Sequence, residues 1–510
     1  MKKWFRNKYN QQVQSSKKMS HTNYDQQDQS LFALINQFKQ SGDFVHFYNP
    51  QSPQPFWISY FSSLIDVEIL HRDILPYLNT IKLSSLEELR GALPIENIVI
   101  TSDLEIIQKE LFKGFVLIQF NEEDSACALV RGEIKKVREL TIAEEEYSVV
   151  GPKEGFVESL ATNLNLVRKR LPVSQLLVKK MEMGKLSKTE VAVLYLEGIA
   201  NEENVNTVLQ RLQKLEFDQI IDSSVIAELI ADNGNSVFPQ LMDTERPDRV
   251  AGVLGEGKVV ILVDGSPHAL IGPINVVNFF SAFEDYYMNW QMASAFRVIR
   301  LFAVIFSVLV TPIYVAIVTY HYQLIPKDLM VTLVTSRRMV PLPPILEALV
   351  MELTIELLRE AGARLPTKVG TTIGIVGGIV IGTAAVEAGV TSNILLIITA
   401  LAALAAFTTP IYRMSSTIRL IRFPFLLFAQ LWGLLGIAVA FIFLTTHLLR
   451  LTSLGRPYLE PIYPPRLGDL KDAFIRLPFS WQSKRPMFLQ AESQKRFVKK
   501  QAKEKRDIDE

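Results

Sequence analysis

The sequence predicts a two-lobed α/β soluble domain followed by an α-helical, multi-span membrane domain. Three observations predict it. Short β-branched runs closed by turn residues alternate with amphipathic helices from Leu31 to about Phe296. Beyond Phe296 the apolar residues gather into stretches of about 20, the length a bilayer demands. One of these, Val369–Gly389, reads VGTTIGIVGGIVIGTAAVEAG, uncharged until Glu387 and ridged with glycine. The expected boundaries are a polar tail over 1–30, a first lobe over 31–155, a second lobe over 156–296, a transmembrane domain over 297–450 and a basic C-terminal tail over 451–510.

The first thirty residues carry Lys and Arg with no apolar run behind them, so they do not form a signal peptide. The missing apolar run places the N-terminal half in the cytosol, and the Gln, Lys, Ser and Asn content predicts disorder, with a docking role as the alternative. In the first lobe, ENIVITSD (Glu96–Asp103) and FKGFVLIQF (Phe112–Phe120) read as strands. FVESLATNLNLVRKRL (Phe156–Leu171) reads as a helix between the lobes. EVAVLYLEG (Glu190–Gly198) is a buried strand. It leads to a helix capped by Asn201 that aligns Val205, Val208, Leu209, Leu212 and Leu215 on one side. VVILVDG (Val259–Gly265) and the following HALIGP read as strand, turn and strand. In TERPDRV (Thr244–Val250), Thr244, Pro247 and Asp248 make a helix start with Arg246 and Arg249 at its edge. The segment is either a capped, solvated terminus or a coupling interface that uses Arg246, Asp248 and Arg249.

Four membrane spans are expected near 301–322, 369–389, 391–412 and 423–449, with Pro312 bending the first and the last crossing as one tilted helix. The segment 341–362 is apolar but carries Glu347, Glu352, Glu356 and Glu360. Four carboxylates disfavour a lipid-exposed span, so an amphipathic helix at the interface or at a pore mouth is expected. Glu352, Glu356 and Glu360 share one face of it. Orientation is in conflict. Both termini favour the cytosol and an even number of crossings, yet four simple crossings expel the loop holding Arg413, Arg419 and Arg422.

In the glycine helix, Gly370, Gly374, Gly378 and Gly382 recur every fourth residue, a ridge that admits a close neighbour. At about 100° per residue, Val369, Ile373, Val376, Val380, Thr383 and Glu387 fall on the opposite face. That face lines a water-filled path in an oligomer, or meets lipid with Glu387 at the headgroups.

The 54 Lys and Arg against 53 Asp and Glu give no whole-chain bias toward nucleic acid. The single cysteine, Cys127, excludes an intrachain disulfide and a Cys-based zinc site. DGSPHA (Asp264–Ala269) lacks the frame of a nucleophile elbow and reads as a turn. The six histidines are scattered singly. No catalytic residue, cofactor or metal is expected.

Long blocks resemble the A subunit of the GerA-type spore germinant receptors. They are VESLATNLNLVRKRL (Val157–Leu171), YLEGIAN (Tyr195–Asn201), the run Phe238–Pro273, FEDYYMNW (Phe283–Trp290), Pro341–Pro366, the glycine helix and RPYLEPIYP (Arg456–Pro464). The resemblance covers about Gly155 to Pro486, is weak in the first lobe and does not extend to the N-terminal tail. It implies a multi-pass receptor subunit of the spore inner membrane with its N-terminal domain facing the core. Its partners would be a transporter-like B subunit that holds the nutrient and a lipoprotein C subunit. It further implies a homo-oligomeric ring, a pentamer, around a cation pore whose opening starts germination; the alternative is a non-conducting scaffold coupling the B subunit to a separate channel. Carried onto this chain, Val376 and Val380 form an apolar gate, Thr383 and Glu387 a pore mouth, Glu352 and Glu356 add charge at a cation vestibule or else belong to a solvated face, and the four glycines pack neighbouring helices.

Overall fold

The computed structural model describes residues 30–134, 143, 146, 148–364, 378, 380–466 and 468–497. The N-terminal tail, Gly370, Gly374 and Val376 therefore lie outside the described residues. The chain divides into two compact units, one taking the chain up to residue 137 together with 172–174, the other taking 138–171 and 175–510.

In the first unit, α1 (Leu31–Phe38) precedes β1 (Phe44–Asn49), β2 (Phe56–Phe61), β3 (Ile98–Thr101), α2 (Leu104–Leu111), β4 (Phe115–Gln119) and β5 (Cys127–Arg131). The sheet runs β1-β2-β4-β5-β3, with every pairing antiparallel. Side-chain alternation along the strands gives it two apolar faces. Leu117, Cys127 and Leu129 pack beneath α1 and α2, while Val116, Ala128 and Val130 pack against the short helices of residues 67–92. Cys127 is a buried core thiol.

The second unit begins with α3 (Leu160–Arg170) and holds β6 (Leu176–Met183), β7 (Thr189–Leu196), α4 (Glu202–Lys214), α5 (Ser223–Leu229), β8 (Met242–Thr244), α6 (Pro247–Glu256), β9 (Val259–Val263) and β10 (Ala269–Gly272). Its sheet, β6-β7-β9-β10-β8, is also antiparallel throughout. Asn201 caps α4 as its sequence requires, accepting from the Glu203 N–H at 2.9 Å. Val205, Val208 and Leu212 of α4 meet Val191, Val193 and Ile261 of the sheet. Asp264 and Gly265 make the expected turn, Gly265 taking φ +85°.

A helical bundle follows. It comprises α7 (Trp290–Tyr320), α8 (Lys327–Arg337), α9 (Pro344–Ala363), a helix at 380–387, α10 (Asn393–Ala406) and α11 (Tyr412–Arg450). Among the described residues, α7 and α11 are the two helices long and apolar enough to cross a membrane by length and composition.

The expected single span over 423–449 is corrected. Trp432 (φ −136°) and Gly433 (φ +60°, ψ −137°) break α11, and the chain folds back on itself. The Phe428 and Phe443 ring centroids lie 6.1 Å apart, whereas fifteen residues of straight helix would rise about 22 Å. A β-carbon on Gly436 would stand 1.9 Å from the Phe428 carbonyl oxygen, so only glycine permits this approach. Phe425, Ala429, Ile437 and Ala440 form the seam between the two arms.

Both arms end on the second lobe. Arg413 pairs with Asp243 at 2.8 Å and the Thr417 hydroxyl donates to the Val237 carbonyl at 2.7 Å. At the other end His447 meets the Ser236 hydroxyl at 2.9 Å. The apex of the hairpin reaches the far end of α7, where the Tyr320 hydroxyl donates to the Gln430 carbonyl at 2.6 Å. The hairpin therefore returns the chain to the lobe from which α7 departs.

The segment after α11 is folded over residues 452–497. β11 (Thr452–Ser453) and β12 (Arg456–Pro457) pair antiparallel, and Leu454 enters the core of the second lobe. Tyr458 is fully buried, its hydroxyl donating to the Pro239 carbonyl at 2.8 Å.

Candidate functional site: an exposed acidic stripe on a polar-cored bundle

Val380, Thr383 and Glu387 all lie exposed on helix 380–387. Val380 is 56% exposed. Gly382, on the other face, is buried, and a methyl built there would touch the Leu396 side chain at 3.6 Å. The glycine face thus packs on α10 of the same chain at Gly382, while Gly378 has open space around it. Gly389, in the left-handed conformation at φ +69°, ends the helix against the Met339 backbone.

Behind this stripe the bundle core is polar. On α9, Glu347 is fully buried and accepts from the Ser392 N–H at 2.7 Å and the Ser392 hydroxyl at 2.6 Å, anchoring the first turn of α10. Arg337 stands 3.4 Å from the same carboxylate. Glu352 forms an ion pair with Arg422 and accepts from the Thr311 hydroxyl at 3.0 Å. Glu356 pairs with Arg419 at 3.1 Å and Arg359 at 3.2 Å. The spacings match because α9 and the first arm of α11 present carboxylates and guanidinium groups at comparable helical intervals.

These contacts turn Glu347 and Glu352 of α9 into the bundle rather than onto a solvated face. Ala348 and Met351 are buried with Glu347 and Glu352, because the arginines of neighbouring helices neutralise the acids inside the bundle. Glu352 is buried in an internal ion pair within the single chain, and Glu356 is shared between two arginines. Neither is the bare, solvent-facing carboxylate expected of a vestibule.

The TERPDRV segment is buried rather than solvated. Pro247 opens α6, and Arg246, at the capping position, pairs with Asp248 at 2.7 Å. The Tyr287 hydroxyl also donates to Asp248 at 2.7 Å. Burial alone would raise the Asp248 pKa, but the hydrogen bonds from Arg246 and Tyr287 outweigh it and hold the carboxyl below its usual range. Arg249 pairs with Glu146 at 2.8 Å and donates to the Ser281 carbonyl at 2.8 Å. Desolvation pushes the Glu146 carboxyl up, against the pull of Arg249. Ser281 and Tyr287 lie on the short segment that enters α7, where Asp285 then holds Arg297 at 3.0 Å and Arg300 at 3.2 Å. The α6 start and the first turns of α7 are thereby joined through charged, desolvated contacts.

The family model described as Bacillus/Clostridium GerA spore germination protein matches residues 33–488 of this sequence. The chain belongs to the GerA family. It is 50% identical over 473 residues to spore germination protein GerQA of Bacillus cereus, covering 93% of this chain and 95% of that protein. It is 47% identical to GerIA of Bacillus cereus, covering 93% of this chain and 71% of that protein. Spore germination protein A1 of Bacillus subtilis (strain 168) is 39% identical, with 83% and 88% covered. A crystal structure of the N-terminal domain of the A subunit of the Bacillus megaterium spore germinant receptor GerK3 aligns with a TM-score of 0.34 at 25% identity, over 48% of this chain and 92% of that one.

Of the residues singled out in this GerA-family sequence, the structure brings Arg246, Asp248 and Arg249 together, and separates Val380, Thr383 and Glu387 from them on the exposed stripe. The partners Arg337, Arg419 and Arg422 were missed, although their signal was present as basic residues flanking apolar helices that also carry glutamates. Among the described residues, no group of three or more His, Cys, Asp and Glu is placed to hold a metal ion.

Proposed function

We propose that this chain is the A-type membrane subunit of a nutrient-responsive spore germination receptor in the spore inner membrane. Copies assemble as a ring, a pentamer, and line a cation channel with the Val376–Val380–Thr383–Glu387 face. The observation that carries this is helix 380–387, which turns Gly382 into its own bundle and leaves Val380, Thr383 and Glu387 uncovered. A valine step followed by a hydroxyl and a carboxylate suits a dewetted gate and a cation-concentrating mouth. The transporter-like B subunit supplies the nutrient site, the lipoprotein C subunit completes the receptor, and lipid surrounds the bundle.

The hairpin in α11 supports an even number of membrane passes. Two arms that both cross would keep Arg413, on the first arm, and the C-terminal segment on the side of the lobe, which would relieve the orientation conflict. The internal neutralisation of Glu352 and Glu356 favours the second reading, a scaffold that relays a signal without conducting.

The test is dormancy. Spores carrying Val376→Ala or Val380→Ala are expected to germinate without nutrient, because a smaller side chain weakens a dewetted constriction. Unchanged dormancy in both variants, with normal receptor abundance, argues for the scaffold.

A further inference from the structure

The segment that follows α11 folds over the second lobe and forms one wall of a half-open cavity of about 280 Å³. Lys258, 3% exposed, lies in its wall. A lysine ammonium has three N–H donors. One reaches the Asn278 side-chain oxygen at 3.1 Å, and the ammonium forms an ion pair with the Glu256 carboxylate at 3.6 Å, longer than an ordinary hydrogen bond.

The acids around the cavity are already engaged. Glu256 holds Arg496 at 3.1 Å. Asp469 accepts from the Met487 and Phe488 N–H groups at 2.9 and 3.1 Å. Asp472 holds Arg297 at 2.8 Å and accepts from the Tyr286 hydroxyl at 2.7 Å. The spare hydrogen-bonding capacity at Lys258 is therefore donor capacity beside a positive charge. Phe283, Phe488, Val253 and Val277 supply apolar wall around it. Such a site, mostly apolar with a few converging polar groups, is the usual form of a small-molecule pocket.

We infer that this cavity binds a small organic anion, its carboxylate on the Lys258 ammonium and its apolar body against Phe283 and Phe488. Burial pushes the Lys258 pKa down, Glu256 only partly opposes this, and a bound carboxylate would favour the charged ammonium further. The site is separate from the exposed stripe. It still bears on the membrane helices, because Asp472 and Tyr286 in its wall also meet Arg297 of α7.

The experiment is calorimetric titration of the purified full-length chain in detergent with sodium benzoate, neutral benzamide and sodium chloride. Benzoate is expected to bind with a dissociation constant of about 1 mM or tighter, and benzamide at least about tenfold more weakly. Chloride gives no binding heat at matched ionic strength. Lys258→Met, checked for folding by gel filtration and circular dichroism, loses benzoate affinity at least about tenfold. Phe479→Ala, on the half-exposed rim, keeps the fold and loses affinity severalfold. No benzoate binding to folded wild type, equal affinity for benzoate and benzamide, or undiminished binding by folded Lys258→Met each overturns the inference. Should Lys258→Met fail to fold, the wild-type comparison of benzoate with benzamide decides it alone.

Discussion

Replacing Arg422 with methionine strands a carboxylate. Glu352 and Arg422 are each 2% exposed, and with the guanidinium gone the hydrogen bond left to Glu352 among the described residues is that from the Thr311 hydroxyl at 3.0 Å. Removing one partner of a buried pair costs about 3–5 kcal/mol, most of it the desolvation of the ion left behind. Replacing both partners with apolar residues of similar size is close to neutral, because the Coulombic gain and the desolvation penalty vanish together. Arg422→Met alone should therefore lower stability by about 3–5 kcal/mol, and Glu352→Leu with Arg422→Met should return to within about 1 kcal/mol of wild type. Arg364→Met provides the control. Its pair with Glu360 at 2.5 Å has side chains 78% and 55% exposed, so its loss should change little. Chemical denaturation in detergent, followed by tryptophan fluorescence, reads all four proteins. A double variant no more stable than Arg422→Met, or a single variant equal to wild type, would refute the pairing.

Two further outcomes are expected from the fold. Phe428→Cys with Phe443→Cys, in a Cys127→Ser background, should form an intrachain cross-link with a short bifunctional reagent, since the two rings lie 6.1 Å apart; a straight helix would prevent it. Acid should weaken the second lobe through Asp222. Burial would raise this carboxyl, but hydrogen bonds from Ser224 and Ser266 outweigh it and hold the pKa at about 2. A depressed carboxylate stabilises above the unfolded value of about 4 and loses that contribution as pH falls toward 2. Discounted for partial solvent exposure, it is worth about 1 kcal/mol. The stability difference between wild type and Asp222→Asn should then be present at pH 6 and vanish near pH 2, and a pH-independent difference would contradict the assignment.

The soluble elements were legible where local chemistry decides the structure. Asn201 at the start of α4, the alternation in β7 and the Asp264–Gly265 turn each carry their own conformational reason, so local pattern and tertiary structure agree. The bundle was less legible because its determinants are long-range. Hydropathy cannot distinguish one long helix from two folded arms; the break rests on Gly433, which takes a positive φ beside Tyr320 and His321, and on Gly436, which lets the Phe428 backbone come near. The glutamates of α9 looked incompatible with a buried helix until Arg419 and Arg422, some seventy residues later, met them. The segment after α11 read as a basic tail because its anchors, Leu454 and Tyr458, are single apolar residues in a charged context. That Val380, Thr383 and Glu387 share one face of helix 380–387 is fixed by helical periodicity alone.

The most direct test of the central claim is ionic current through planar bilayers containing the purified chain, with the oligomeric mass measured on the same material. A discrete oligomer should give cation-selective currents, and Glu387→Gln should reduce both conductance and cation selectivity while leaving that mass unchanged. An intact oligomer that stays silent, or one whose currents are indifferent to Glu387→Gln, would contradict a pore lined by the Val380–Thr383–Glu387 face.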